Sequence, residues 1–412
     1  MAQLTPTVDP SEVGIDPTRL ARIDDVLRPY VDEGLLPFVD FLLTRRGEVV
    51  HRVLYGNADV EAGRAIEADA IHRIFSMTKP VTSVALMMLH EQGKVLLEDP
   101  VEKYLPALAN PQVWVEGETE ADVVTRPADR SINIVDLLTH TSGLTYGFQQ
   151  AHPVDALYRE RGLGEFGVVP TFDNAELVKM LGDLPLQFSP GTNWWYSMAH
   201  EVVGALVETI SGQTLDEYFQ EHIFAPLGMV DTDFHVDEQR AHRFSNGYAF
   251  VPGGIMLADH AATSLGLEPP ILLSGGGGLC STTSDYHRFT QFLLRRGELD
   301  GVRLLSARSV DFMTANHLPG ARTLDDFGTH GFSEAAMEGM GFGFGVIVNC
   351  SPQANRAMGS VGDYGWGGAA STVFNIDPAE ELTMSFMTQL FPSNTYPIRR
   401  QLRAAVYQAL VD

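Results

Sequence analysis

The order of its secondary-structure signals constrains this chain's fold more than any other feature. Asp16-Pro17 reads as a helix start, an N-cap with proline at the first helical position, and Leu20, Ile23, Leu27 and Val31 follow at helical spacing toward Gly34, with Pro29 as a kink. Phe38 to Thr44 and Val49 to Tyr55 are strand-like runs joined by Arg46-Gly47, a hairpin signal. Near the other end, Phe344 to Asn349, Ser371 to Ile376 and Leu382 to Gln389 alternate as antiparallel strands, and a last helix carries Ile398, Leu402, Val406 and Leu410. Between these blocks the text is mainly helical: Ile134 to Leu138, Asn174 to Leu181, Met198 to Ile210, and Leu215 to Phe224 stopped by Pro226. Asp285 to Arg296 is a further helix, and Glu116 to Asp122 is an acidic solvated loop. The simplest closure brings the two ends together in one antiparallel sheet covered by helices. The expected fold is therefore α+β, with a sheet lobe of residues 1–65 plus 275–412, an inserted helical lobe of 66–274, and the active site between them.

Charge and apolar patterning exclude several classes of function. With 28 Lys+Arg against 53 Asp+Glu, the formal net charge is −25, which disfavours nucleic acid and anionic membrane surfaces as partners. No apolar run approaches the roughly 20 residues needed to span a bilayer. Met1 to Pro10 lacks a basic stretch followed by an apolar one, so the expectation is a cytoplasmic protein without a leader. Cys280 and Cys350 are the only cysteines and read as buried free thiols, one disulfide being possible. No His-Glu-x-x-His and no Cys-x-x-Cys pair occurs, so neither a metal site nor a cofactor is expected.

Ser76-Met77-Thr78-Lys79 stands just ahead of the apolar run Val81 to Leu89, in a helix ending at Gly93. A hydroxyl and an amine three residues apart share a helix face. Buried, the amine can lose its charge and take the hydroxyl's proton, which makes a strong nucleophile without histidine. Ser76 as a simple N-cap is an equal alternative on this motif alone. Tyr196-Ser197 begins another helix after Pro190-Gly191, and its phenol is either a proton shuttle or a core tyrosine. In Trp366-Gly367-Gly368-Ala369 the glycines allow a substrate close to the backbone, with the N–H of Ala369 donating to an oxyanion; a glycine bend at a sheet edge is the other reading. His140 reads as a structural hydrogen-bonding residue. Gly275 to Gly278 lacks the Lys-Ser/Thr of a phosphate loop and reads as tight packing near a cleft. No Gly-x-Ser-x-Gly occurs, against an α/β-hydrolase elbow.

Together these motifs, with Leu138 to Leu144 and Pro226-Leu227-Gly228-Met229, resemble the serine β-lactamase and penicillin-recognising superfamily. The likeness is greatest to its class C-like branch and, within that, to the family VIII carboxylesterases. The resemblance implies Ser76 as nucleophile, Lys79 as its proton acceptor, Tyr196 as partner acid/base, and an oxyanion hole from the N–H groups of Ser76 and Ala369. Lys79 and Tyr196 then titrate as a coupled pair, and which is the primary base stays open. Two departures bear on substrate. Met198 stands where β-lactamases of this branch carry asparagine, and Trp366 stands where they carry the lysine that holds a penicillin's carboxylate. Losing such a charge pair costs on the order of 2–5 kcal/mol of binding.

The expected reaction is hydrolysis of a small-molecule carboxylic ester through an acyl-Ser76 intermediate. Tyr146, Phe148, Trp194, Trp195 and Trp366 are candidate pocket walls beside Gly367 and Gly368, and each of the aromatic residues fits a core position equally well. Transfer of the acyl group to a small-molecule acceptor, weak β-lactamase or D-amino-acid peptidase activity, and an inactive scaffold are the alternatives. Oligomeric state is not legible in the sequence.

Overall fold

The computed structural model describes residues 4–328 and 337–412. Met1–Gln3, where the stretch inspected for a leader begins, lie outside the described residues, as do residues 329–336 of the expected sheet lobe.

The helix Pro17–Leu20 is capped by the Asp16 side chain and leads into α1, Arg22–Asp32. The chain then enters β1 (Phe38–Arg45) and β2 (Glu48–Asp59). Arg46 (φ 53°) and Gly47 (φ 82°) both take left-handed backbone, the geometry a two-residue hairpin needs to match strand twist. β3 is Arg64–Ala65, and the late strands are β4 (Met340–Phe342), β5 (Ile347–Asn349), β6 (Tyr364–Gly367), β7 (Val373–Asp377) and β8 (Leu382–Met387). They form one eight-stranded sheet in the order β4-β5-β6-β7-β8-β1-β2-β3, with every neighbouring pair antiparallel. The join between the chain's two ends is β1 with β8, in the register Asp40↔Met387 to Arg45↔Leu382.

Because β1 is central, it is buried along its whole length, and alternation sorts its residues between two covering layers. Val39, Phe41 and Leu43 pack in one apolar cluster with Ile23 and Leu27 of α1 and with Leu402 and Val406 of the last helix, Ile398–Tyr407. Asp40 and Thr44 face the helix Thr283–Leu294 on the opposite side. There Asp40 Oδ2 accepts from Thr283 (2.8 Å) and Arg52 (2.9 Å), while Gln291 donates to Thr44 (3.0 Å); Asp40 Oδ1 and Gln291 Oε1 are buried without a hydrogen-bond partner among the described residues.

The second, larger apolar cluster includes α2, Thr78–Glu91, and α3, Ala199–Ser211. Eleven of the fourteen α2 residues are buried, so this helix runs through the interior and brings its N-terminal turn to the site. One expectation needs correction. The helix that opens at Leu215 passes through a π turn, Gln220–Phe224, and continues past Pro226 to Leu227, and Gly228 (φ 66°) ends it. The acidic stretch is an exposed loop as expected, and it forms the tip of a hairpin, Gln112–Glu116 with Val124–Pro127, whose strands carry no clear alternation. Among the described residues, no helix is long and apolar enough to cross a membrane.

Candidate active site

Ser76 lies in a short 3₁₀ turn, Phe75–Met77, entered through a left-handed Phe75 (φ 45°) and running straight into α2. Its hydroxyl is not a helix cap. It accepts from the Tyr196 hydroxyl at 2.5 Å and from Lys79 Nζ at 3.2 Å. Lys79, with no exposed surface, also donates to the Gly276 carbonyl at 2.7 Å and to the Tyr146 hydroxyl at 3.1 Å, and its ammonium nitrogen lies 4.6 Å from the Tyr196 ring centre. Three residues separated by up to 120 positions thus meet around one oxygen.

Behind this trio sits Glu201, a residue that no sequence motif singled out. It is buried on α3 and touches the Tyr146 hydroxyl (3.4 Å) and Ser274 (3.1 Å). Burial raises its pKa above the usual carboxylate range, and the nearby Lys79 ammonium acts against that rise. Gly276 leaves room for that carboxylate, since a Cβ on it would stand 2.3 Å from Glu201 Oε1. The only sequence signal for this arrangement is an acidic residue close ahead of the apolar run Val202 to Val207.

His140 and His200 pack at 4.9 Å between ring centres and are held well below the usual imidazole pKa, chiefly by complete burial. His140 contacts Ser197 (3.1 Å) and His200 contacts Ser83 (3.1 Å). These neutral rings buttress the Tyr196 segment and α2.

Ala369 lies in the turn between β6 and β7 and shares a cleft with Ser76. The turn's backbone bonds run from Gly368 N to Thr372 O (2.9 Å) and from Ser371 N to Gly368 O (3.0 Å), leaving the Ala369 N–H out of them. Ser76 occupies a first helical turn, where N–H groups lack an internal acceptor. Ser76 and Ala369 both line this cleft.

The cleft measures about 570 Å³. Tyr146, Phe148, Met198 and Gly276 to Gly278 line it. Among the described residues, the tryptophans and the glycine pair depart from expectation. Trp366 is 1% exposed and backs Tyr196 (5.5 Å) and Phe342 (5.3 Å), supporting the phenol from behind. Trp194 packs on Phe342 and His140, and the Trp195 indole donates to Thr145 at 2.8 Å. All three indoles are core, because these large rings find apolar neighbours inside. Gly367 and Gly368 make room for protein instead of ligand: a Cβ would meet the Arg399 guanidinium (2.5 Å) at Gly367 and the Ile74 carbonyl (2.3 Å) at Gly368.

With this geometry in place, comparison with known proteins settles the family. Residues 23–409 match the family model described as Beta-lactamase. The chain belongs to the Beta-lactamase family. That family contains serine hydrolases and acyl transferases, and this member is 34% identical to Protein Rv1367c of Mycobacterium tuberculosis over 370 residues, 89% of each chain. It is 29% identical to Esterase EstB of Burkholderia gladioli, covering 97% of this chain and 98% of the relative. Among solved structures, EstCE1, a hydrolase with promiscuous acyltransferase activity, matches with a TM-score of 0.79 at 24% identity, over 95% of this chain and 99% of that one. This last likeness shows the β-lactamase/transpeptidase-like fold.

Proposed function

We propose that this β-lactamase-family chain hydrolyses carboxylic esters through an acyl-Ser76 intermediate. The observation that carries the reading is the convergence of Tyr196 and Lys79 on the Ser76 hydroxyl inside an apolar cleft. Ser76 Oγ attacks the ester carbonyl as its proton passes into the Lys79–Tyr196 pair. The N–H groups of Ser76 and Ala369 stabilise the oxyanion. Collapse of the tetrahedral species breaks the bond to the alkoxide, which leaves with that proton as the alcohol. Water then attacks the acyl-serine, gives up a proton to the same pair, and Ser76 recovers it as the acid departs.

Esters are favoured over β-lactams and D-amino-acid peptides because, among the described residues, no arginine or lysine lines the cleft to hold a substrate carboxylate. The likeness to Esterase EstB supports the same choice. Ser76→Ala should lower turnover of p-nitrophenyl butyrate by about a thousandfold or more while far-UV circular dichroism stays unchanged. Retained turnover in that variant rejects the assignment. A chromogenic cephalosporin cleaved as fast as the ester rejects the ranking of substrates. Acyl transfer is the second reading, favoured by the apolar walls that limit water; added small alcohols should then divert product from free acid to a new ester.

A further inference from the structure

The walls of the cleft say more about the substrate than the reacting groups do. An unbroken series of aromatic contacts starts at the Ser76 partner and runs outward. Tyr196 meets Tyr146 at 5.3 Å between ring centres, Tyr146 stacks on Phe148 at 4.7 Å, and Phe148 stacks on Phe166 at 4.8 Å. Tyr196 is 2% exposed, but Phe166 is 54% exposed, so the series leads from the buried centre to the surface. A second segment, residues 265–272, adds Pro269, Pro270, Ile271 and Leu272 to the lining, with Ile271 60% exposed. Large apolar groups left in water around a concave site are ordinarily covered by an apolar ligand.

Charge points the same way. Among the described residues that line the cleft, the charged ones are Glu165, Glu201 and Glu268, all acidic. A substrate with its own carboxylate would meet like charge along these walls, with no arginine or lysine among the described lining residues. A neutral apolar body meets aromatic faces.

We infer that the substrate is a neutral ester carrying an extended apolar body, of octanoyl size or larger, that lies along the Tyr146–Phe148–Phe166 wall. This rests on the ester reading above and deepens it. The apolar body belongs to the acyl part or to the alcohol part, and two series separate these sources: p-nitrophenyl acetate to octanoate, and ethyl to octyl acetate.

In the series that carries the body, kcat/KM should rise about two- to fourfold per added methylene. Phe166→Ser should lower the octanoate-to-acetate ratio, or the octyl-to-ethyl ratio, by about tenfold. An acyl chain ending in a carboxylate should react at least a hundredfold more slowly than its methyl ester. Binding to Ser76→Ala, read by calorimetry, removes the chemistry from the question: the longer ester of the responding series should bind at least thirtyfold tighter than the shortest. Two flat series, an unchanged ratio in Phe166→Ser, or equal rates for the carboxylate and its methyl ester overturn the inference. If no ester is turned over yet the long one binds the alanine variant tightly, the hydrolase reading fails and this one stands. Brisk acetate turnover with no length dependence does the reverse: ester hydrolysis stands and the extended apolar body is rejected.

Discussion

At Glu201, a single buried carboxylate sets the electrostatics around Ser76. Its negative charge holds protons on its neighbours, so removing it should let them go at lower pH. Glu201→Gln is therefore expected to move the acid limb of the kcat/KM profile down by about one pH unit. The alkaline limb tells the two bases apart. If it moves down as well, the reaction needs Lys79 as a cation holding a Tyr196 phenolate. If it stays, Lys79 itself takes the proton. A profile unmoved on both limbs means Glu201 is only a packing residue. Neither outcome was legible in the residue pattern, because Glu201 reaches the site through Tyr146 and Ser274, which lie 55 and 73 positions away. Ser76 and Lys79 were legible, since a spacing of three already puts two side chains on one helix face.

At the scale of elements, the turn between β6 and β7 couples the sheet to the Ser76 segment. Gly368 lies against the carbonyl of Ile74, two residues before Ser76, and Arg399 donates to the carbonyls of Gly368 (3.3 Å) and Thr372 (2.8 Å). Gly368→Ala should push Ala369 off its position and lower kcat by about a hundredfold with little change in KM. Gly367→Ala meets only the flexible tip of Arg399 and should lose much less. Equal losses in the two variants, measured by steady-state kinetics with melting temperatures alongside, would remove the turn from the oxyanion site. Local signals predicted such elements where the chain's own chemistry decides them, as at Asp16-Pro17 and Arg46-Gly47. They failed at Pro226, where the preceding helix tolerated proline, and at the hairpin Gly247–Val251 with Gly254–Asp259, for which no strand was expected. Those strands are short and partly exposed, so burial leaves little imprint on their residues.

Across the whole molecule, burial of titratable groups ties stability to pH. His287, in the helix that covers β1 and β8, is held down to about 4 by burial and by the nearby Arg288, Arg295 and Arg52. Between pH 6.5 and about 4 the unfolded chain binds this proton and the folded one does not, so stability is lost as pH falls through that window. The contribution is about 3 kcal/mol by linkage. His140 and His200 act with the same sign. Asp285, raised to about 6 by burial, opposes them, since its folded form binds a proton earlier as pH falls. His287→Gln should therefore flatten the drop in melting temperature between pH 7 and pH 4.5, and Asp285→Asn should steepen it. Parallel curves for wild type and both variants would contradict this assignment.

The sequence alone determined the strands and helices at the chain's two ends, the order that closes them into one antiparallel sheet, and the serine–lysine pair, because spacing, capping and turn residues act over a few positions. Only the tertiary structure decided which groups surround that pair. The Gly276 carbonyl, the buried Glu201, the indole behind Tyr196 and the aromatic wall to Phe166 come from distant segments. Local periodicity records that a side chain is buried, and it does not record against what.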